Sequence, residues 1–356
     1  MALIQRQIAL AGPLTVADYM ASALTHPRHG YYAKGDPIGA AGDFITAPEV
    51  SQMFGELIGA WAADAWEAMG RPAPFRLVEI GPGRGTLMAD ALRLVAGVPG
   101  LGEALEVHLV ETGEALRARQ AERLGDAVAA WHGELAAVPE GPAVIVANEL
   151  FDALPVHQFV RTLKGWRERL VDRDPFTGGL RFVLARGPTP AAALLAGKEG
   201  APPGAVTEVS PAAISLAHEI GRRIAAFGGR ALIVDYGKDD GALGDTLQAV
   251  RAHRRHGVLE APGEADLSAR VDFAALARAI AEAGAAPFGP VGQGDFLIAL
   301  GIEARAARLK ARASPAQAGD IDAALERLTS PAAMGALFRV LAAAPRGTPP
   351  PPGLAP

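Results

Sequence analysis

Cysteine is absent from the 356-residue chain. Disulfide bonds, thiolate metal sites and a cysteine nucleophile are therefore excluded, and a chain without them suits a reducing compartment. The eight histidines contain no H-E-x-x-H pattern, so no metal site is expected. Ser51 and Ser210 lie outside any G-x-S-x-G segment, which argues against a serine hydrolase. These absences remove several common classes of enzyme.

An excess of positive charge is also missing, since the net charge is -5 and the pI is near 5.9. A broad surface for nucleic acid is therefore not expected. Gly12-Pro13 and Asp18 interrupt the apolar N-terminal segment, which makes it a poor signal peptide and too short for a membrane span. We expect a folded cytoplasmic protein that binds neither nucleic acid nor membrane.

Short aliphatic runs recur along the chain and predict buried strands, because continuous apolar runs are typical of strands covered on both faces. These runs are residues 76–80, 107–111, 143–147, 230–236 and 296–300. Helix-like patterns follow the first two runs. A repeated order of strand and helix predicts a parallel α/β sheet.

The segments around these runs predict the domain organisation. Residues 1–70 resemble a helical region with a long Gly- and Pro-rich loop, and a loop of this length is usually functional or mobile. Residues 71–160 and 228–305 are predicted to form the core, and residues 161–227 an inserted small lobe that begins with a hairpin. Residues 306–356 are predicted to be a helical segment followed by a Pro-rich tail that is disordered or extended.

The segment VEIGPGRGTLMAD, residues 78–90, places Gly81, Gly83 and Gly85 between a predicted strand and a predicted helix. A dinucleotide fold would carry a third motif glycine where this chain has Thr86, and the lysine of a Walker A loop is missing. Alternate glycines still permit positive φ angles and leave the backbone open to a ligand. Packing alone is the structural alternative for such a turn.

Two carboxylates accompany the glycine turn. Glu79 precedes Gly81 by two residues, and Glu111 ends the second predicted strand, where nucleotide-binding folds hold a ribose diol. Carboxylates repel phosphate but tolerate a cation. The pattern therefore predicts an adenosine cofactor without a pyrophosphate, such as S-adenosylmethionine (AdoMet).

Eight segments of the chain together resemble one protein family. They are HPRHGYY (26–32), GDFITAPEVSQMFGELIGAW (42–61), VEIGPGRGTLMAD (78–90), NELFDALPVHQF (148–159), VDYG (234–237), GDTLQAVRAH (244–253), PGEADLSARVDF (262–273) and FLIALGI (296–302). The chain resembles the AdoMet-dependent methyltransferase family that includes the mitochondrial complex I assembly factor, a protein arginine methyltransferase, and its bacterial relatives. The resemblance implies a class I methyltransferase fold, which is Rossmann-like with a mostly parallel, seven-stranded sheet.

The same resemblance implies the roles of several residues. Gly81, Gly83 and Gly85 are expected to lie against AdoMet, and Glu111 is expected to hold its ribose hydroxyls. The methyl acceptor implied by the family is an arginine of a partner protein, such as a respiratory complex I subunit. Arg270 stands where the family is expected to carry histidine, which affects the substrate pocket and not the cofactor site.

The segment ANELFDALP, residues 147–155, supplies the candidate catalytic residues Asn148, Glu149 and Asp152 just after the third predicted strand. A charged arginine side chain needs carboxylates to bind its planar fork. The spacing of Glu149 and Asp152 places them on one side if the segment turns helically. Helix capping is the structural alternative.

Further acidic residues lie in other motifs. The loop GDFITAPE, residues 42–49, contributes Asp43, Phe44 and Glu49, and we expect Asp43 and Phe44 to contact the cofactor. The resemblance implies that this N-terminal loop is a lid over the cofactor, and a simple surface crossing is the structural alternative. Asp235 ends a predicted buried strand and is expected at the same edge of the sheet. The acidic stretch around Asp266 is predicted either to attract a basic substrate or to be a solvated loop.

The sequence thus predicts an AdoMet-dependent methyltransferase that modifies arginine in a protein substrate. The alternative is a noncatalytic assembly chaperone that binds AdoMet. A dehydrogenase is disfavoured by Thr86. The inserted lobe is a candidate surface for a homodimer or for a partner protein.

Overall fold

The computed structural model describes residues 1–33, 45–195, 197–239 and 243–355. The chain divides into two compact units. We call Ile45–Phe151, Ser215–Asp239 and Phe273–Pro356 the core unit. Met1–Phe44, Asp152–Ile214 and Asp240–Asp272 form the accessory unit.

The helices and strands within the described residues are as follows. The α-helices are α1 (Ala2–Ala11), α2 (Val16–Thr25), α3 (Ala47–Val50), α4 (Gln52–Ala68), α5 (Thr86–Val95), α6 (Leu101–Ala104), α7 (Glu114–Leu124), α8 (Pro211–Phe227), α9 (Phe273–Glu282), α10 (Gln293–Ala299), α11 (Ile302–Lys310), α12 (Pro315–Thr329) and α13 (Met334–Leu337). Short 3-10 helices are Tyr31–Ala33, Gly125–Ala127, Leu135–Ala137, Phe151–Ala153 and Pro190–Leu195. The strands are β1 (Leu14–Thr15), β2 (Phe75–Ile80), β3 (Leu105–Val110), β4 (Val128–His132), β5 (Ala143–Asn148), β6 (His157–Thr162), β7 (Gly165–Arg173), β8 (Leu180–Leu184), β9 (Val206–Val209), β10 (Gly229–Lys238), β11 (Gln248–Arg251), β12 (Arg254–His256), β13 (Asp266–Ser268), β14 (Val271–Asp272), β15 (Ala286–Gly292) and β16 (Phe338–Ala344).

A mixed sheet forms the centre of the core unit. Its strands pair in the order β15-β16-β10-β5-β2-β3-β4. The pairings from β10 through β5, β2 and β3 to β4 are parallel, whereas β16 is antiparallel to both β10 and β15. Every residue of β2 and β5 is buried, as the apolar runs predict. The predicted α/β class is confirmed.

Helix α4 packs closely on α5 through two glycines. A Cβ atom at Gly59 would lie 2.7 Å from the main-chain oxygen of Ala91, and one at Gly55 would lie 2.6 Å from Cβ of Asp90. The apolar face of α4, which includes Phe54, Ile58 and Trp61, belongs to the same buried cluster as the sheet. The contact holds α5, and therefore the glycine turn before it, against the body of the core unit.

Antiparallel strands dominate the accessory unit. One sheet has the order β1-β7-β6-β9, with β8 paired to β7, and a smaller sheet has the order β12-β11-β13. The predicted hairpin in the inserted lobe is confirmed by the antiparallel pairs of β6 with β7 and β7 with β8. Val171 of β7 and Tyr19 and Met20 of α2 lie in the buried cluster of this unit.

The unit boundaries differ from the predicted domain boundaries. Residues 45–70 belong to the core unit, because α4 packs on α5. Residues 240–272 belong to the accessory unit, where β11 pairs with β12 and β13. Residues 306–356 are part of the core unit, to whose sheet they contribute β16.

Two expectations for the C-terminal third are wrong. Residues 296–300 lie largely in α10 and form no strand, since a short apolar run does not distinguish a buried helix from a strand. The corresponding sheet position is taken by β16, between β15 and β10. Of the two alternatives for the tail, disorder is wrong, because Leu354 is 3% exposed and the Trp61 indole N–H donates to the main-chain oxygen of Pro352 at 3.2 Å.

No helix in the described part of the chain combines the length and apolar character that crossing a membrane requires.

Candidate functional site

The glycine turn follows β2 directly and has the conformation that its sequence predicts. Gly81, Gly83 and Gly85 have φ angles of 67°, 52° and 75°. Side chains other than glycine are strained in this left-handed region. The Gly81 N–H donates to the main-chain oxygen of Val110 at 3.0 Å, which ties the turn to the end of β3. The turn ends at Thr86, where α5 begins.

Glu79 and Asn148 present buried acceptors with no hydrogen-bond partner in the described residues. Glu79 is 3% exposed and Asn148 is 8% exposed, and the atoms concerned are Oε2 and Oδ1. Burial raises the pKa of the Glu79 carboxyl to about 8. Glu79 pairs in register with Val146, so Asn148 lies two residues further along the neighbouring strand, on the same face of the sheet.

Unpaired buried acceptors are costly, at about 1 to 3 kcal/mol each, and a native structure usually satisfies them. Oε2 of Glu79 and Oδ1 of Asn148 could each accept an N–H donor from a ligand at the carboxyl ends of the parallel strands. Open α/β sheets bind their ligands at this edge. These two atoms therefore fit a cofactor that carries amino groups.

Glu111 is held in place by neighbouring donors. Its Oε1 accepts from the Gly113 N–H at 2.7 Å, and its Oε2 accepts from the side-chain amide of Gln120 at 3.3 Å. The side chain is 9% exposed, and burial raises its pKa against the lowering effect of these hydrogen bonds. The carboxylate is thus oriented by its surroundings, as a binding group requires.

Gln120 is a site residue that the sequence analysis missed. It lies in α7 and is fully buried, and its amide also donates to the main-chain oxygen of Gly83 at 2.8 Å. Its Oε1 accepts from the indole N–H of Trp131 at 2.9 Å. Gln120 therefore links Glu111 to the glycine turn. Its neighbours in sequence are mostly charged residues, and no motif marks it.

Glu149 has a φ angle of 50°, which is unusual for a residue other than glycine. Its Oε1 accepts from the Ala47 N–H at 2.7 Å. The pKa of the carboxyl is raised to about 8, first by burial and then by the charge of Asp235. Strained backbone of this kind is concentrated at functional sites.

The expectation that Glu149 and Asp152 share one helical side is wrong. The left-handed conformation of Glu149 precedes the 3-10 helix Phe151–Ala153, so Glu149 takes no part in that turn. Asp235, whose side chain is fully buried, stabilises this turn by accepting from the N–H groups of Leu150 and Phe151 at 3.1 and 2.8 Å. Its role here is structural.

Asp152 lies in the accessory unit with Asp266 and Tyr32. The Tyr32 hydroxyl donates to Oδ1 of Asp266 at 3.0 Å, and the main-chain oxygen of Asp152 accepts from the Ala269 N–H at 2.9 Å. Burial and the charges of Asp266 and Asp152 raise the pKa of Tyr32. Sequence reasoning did not predict that the charges of both carboxylates act on Tyr32.

The remaining predicted residues are placed as follows. Asp43 and Phe44 lie outside the described residues. Glu49 lies in α3, and its carboxylate accepts from the Thr86 hydroxyl at 2.5 Å. Arg270 is exposed, and its main-chain N–H donates to the Thr246 hydroxyl at 2.9 Å. A cluster of acidic or histidine side chains able to hold a metal does not occur in the described residues.

Comparison with known proteins agrees with this arrangement. A family model described as "Putative S-adenosyl-L-methionine-dependent methyltransferase" matches residues 57–291. The mitochondrial protein arginine methyltransferase NDUFAF7 of Mus musculus is 42% identical over 95% of this chain and 83% of that protein. The Homo sapiens protein of the same name is 41% identical over 95% of this chain and 82% of that protein.

A solved structure supports the same assignment. A crystal structure from Burkholderia thailandensis bound to S-adenosyl-homocysteine has 33% sequence identity and a TM-score of 0.83. The match covers 100% of this chain and 92% of that chain. The predicted family and its cofactor class are confirmed: the chain belongs to this family of S-adenosyl-L-methionine-dependent methyltransferases.

Proposed function

We propose that the protein transfers the methyl group of AdoMet to an arginine side chain of a protein substrate. Relatives that are 41 to 42% identical over most of the chain are named protein arginine methyltransferases. The observation that carries the proposal is Glu149, a carboxylate with a left-handed backbone next to the end of β5. A carboxylate at this edge of the sheet suits a charged guanidinium acceptor, because it accepts strong hydrogen bonds from the guanidinium N–H groups.

Residues of the core unit fit the cofactor. Bound AdoMet supplies a methyl group on a positively charged sulfur. The backbone of Gly81, Gly83 and Gly85 leaves room for its chain, and Glu111 would accept from the ribose hydroxyls. Oε2 of Glu79 and Oδ1 of Asn148, both buried and without a hydrogen-bond partner among the described residues, would accept N–H donors. The parallel strands from β10 to β4 support the class I arrangement of the sheet.

Glu149 has two tasks in the proposed reaction. Its carboxylate would accept hydrogen bonds from the guanidinium and hold one nitrogen in line with the methyl group. As the nitrogen–carbon bond forms and the carbon–sulfur bond breaks, the nitrogen must lose a proton, which Glu149 would accept. A pKa of about 8 is suited to a general base near neutral pH. Asp152 remains a predicted second carboxylate for the acceptor.

The experiment uses purified protein and AdoMet with a labelled methyl group, together with protein extract from cells that lack the enzyme. We expect label on arginine, identified by mass spectrometry. Glu149→Gln should bind AdoMet and transfer no methyl group. The half-buried residue Glu219 in α8, paired with Arg222 at 2.8 Å, supplies the control variant Glu219→Gln, which should remain active. A wild-type protein that binds AdoMet and labels no arginine would instead support an assembly chaperone.

Two finer parts of the proposal concern partners and location. The family resemblance suggests a respiratory complex subunit as acceptor, and the hairpin lobe is the proposed surface for a homodimer. Cytoplasmic location stays a prediction, and it differs from the mitochondrial location in the names of the relatives. Cell fractionation tests the location, and a sedimentation measurement of mass tests the homodimer.

A further inference from the structure

Helix α3 contacts both parts of the proposed methyl-transfer site. At its first residue, the Ala47 N–H donates to Oε1 of Glu149 at 2.7 Å. Near its other end, Oε1 of Glu49 accepts from the Thr86 hydroxyl at 2.5 Å. Thr86 is the first residue after the glycine turn. One short helix therefore joins the candidate base to the cofactor-binding turn.

Thr86 is a hydrogen-bond junction at the position where a dinucleotide motif would carry glycine. Its hydroxyl donates to Glu49 and accepts from Nη1 of Arg123 at 2.8 Å. A hydroxyl is the group that can do both at this position, because it has one donor and two acceptor lone pairs. Serine would retain the junction and valine, which has nearly the same shape, would remove it.

The charges around Glu49 strengthen this connection. Its side chain is 17% exposed, and its Oε2 lies 3.8 Å from Nη1 of Arg84, which stands between Gly83 and Gly85. A carboxylate that accepts from a hydroxyl forms a stronger hydrogen bond than a neutral acceptor does. Limited exposure reduces screening by solvent. Glu49 thus holds both Arg84 of the turn and the residue that follows the turn.

We propose that Glu49 and Thr86 are positioning residues that fix the glycine turn for AdoMet and, through α3, the orientation of Glu149. Neither side chain is assigned a contact with the substrate. The effect on Glu149 rests on the proposed function, whereas the effect on the turn can be measured by cofactor binding alone. The threonine that replaces the third motif glycine is therefore required for the site.

The test uses the full chain and measures the Kd for AdoMet by calorimetry and the Tm without cofactor. Thr86→Val should raise the Kd about tenfold, the equivalent of losing one charge-assisted hydrogen bond. Thr86→Ser should stay within about twofold of wild type. Glu49→Gln should also weaken binding. Glu67, which forms an exposed salt bridge with Arg71 at 3.0 Å, supplies the control Glu67→Gln, whose Kd should not change.

The double variant Glu49→Gln with Thr86→Val sharpens the test. Because the two residues share one hydrogen bond, the double variant should weaken AdoMet binding by less than the sum of the two single effects. A lower Tm with an unchanged Kd would reduce the bridge to a structural contact, as would additive effects on the Kd. If Thr86→Val does not fold, Glu49→Gln and Thr86→Ser provide the same contrast.

The proposed effect on the orientation of Glu149 is measured separately, through kcat. In the Thr86→Val variant saturated with AdoMet, kcat should fall, because α3 loses its contact at Glu49 and holds Ala47 less firmly against Glu149, and Thr86→Ser should keep kcat near wild type. An unchanged kcat at saturation would overturn this part of the proposal. A wild type that binds AdoMet but transfers no methyl group counts against the proposed function, while the Kd comparison still decides the role of the bridge.

Discussion

The side-chain amide of Gln120 donates a hydrogen bond of 2.8 Å to the main-chain oxygen of Gly83. The same amide lies 3.3 Å from Oε2 of Glu111. One buried side chain on α7 thus sets both the middle of the glycine turn and the carboxylate proposed for the ribose. The cofactor site depends on a residue that no motif contains.

Replacing Gln120 should weaken cofactor binding. Gln120→Leu keeps the approximate volume but leaves the Gly83 oxygen and the indole N–H of Trp131 without their partner. We expect the Kd for AdoMet to rise about tenfold, since each lost buried hydrogen bond costs about 1 to 3 kcal/mol. Calorimetric titration measures this change. Glu122→Gln, an exposed change on the same helix, should leave the Kd unaltered.

Glu79→Gln should change stability and cofactor binding in opposite directions. The folded pKa of about 8 is raised above the ordinary value of 4.5, so this group favours folding at low pH and loses that contribution as pH rises through 8. The amide variant should therefore gain stability relative to wild type at pH 9, by at most on the order of 5 kcal/mol, and gain little at pH 5.

Thermal unfolding at the two pH values, without cofactor, tests the Glu79 prediction. Binding should move in the opposite direction, because the amide is a weaker acceptor than the carboxylate, and the Kd for AdoMet should rise. A stability difference that is equal at both pH values would show that Glu79 does not titrate in this range.

The activity should depend on the ionisation of Glu149. A base acts in its deprotonated form, and a pKa of about 8 leaves Glu149 mainly protonated at neutral pH. We expect kcat/KM to rise with pH and to level off above about 8. Initial rates of methyl transfer across this range provide the measurement. A profile that is flat from about pH 6 to 9 would exclude Glu149 as the base.

Gly59→Ala should destabilise the core unit. The added Cβ atom would lie 2.7 Å from the Ala91 oxygen, so α4 and α5 must separate. We expect a loss of about 1 to 3 kcal/mol, which exceeds the gain of about 1 kcal/mol in helix propensity. Denaturant unfolding measures it. Gly102→Ala in α6 is the matched control and should change stability little, because the added Cβ atom would meet no described atom within 4 Å beyond its chain neighbours and its own helix backbone.

The sequence predicts the parts of this fold that depend on local pattern. Continuous apolar runs predict β2 and β5, and alternate glycines predict the positive φ angles of the turn. The same reasoning misplaces residues 296–300, because an apolar run of five suits a buried helix as well as a strand. The order of strands in the sheet depends on contacts between residues distant in sequence, and β16 takes its position between β15 and β10 through such pairing.

The candidate site also contains some residues that local sequence pattern predicts and others that it does not. Glu79, Glu111 and Asn148 are predicted because strand ends at one edge of a parallel sheet meet there. The left-handed conformation of Glu149 and the hydrogen bonds of Gln120 depend on neighbours distant in the chain, so no local pattern reports them. The contact between Glu49 and Thr86, 37 residues apart, is of the same kind.

The most direct test of the account is arginine methylation by the purified protein. Wild type and Glu149→Gln are incubated with AdoMet carrying an isotopically labelled methyl group and with extract from cells that lack the enzyme. Mass spectrometry then locates the label. The account predicts labelled methylarginine with the wild type and none with Glu149→Gln, although both bind AdoMet. Label on another type of residue, or no label despite cofactor binding, would contradict it.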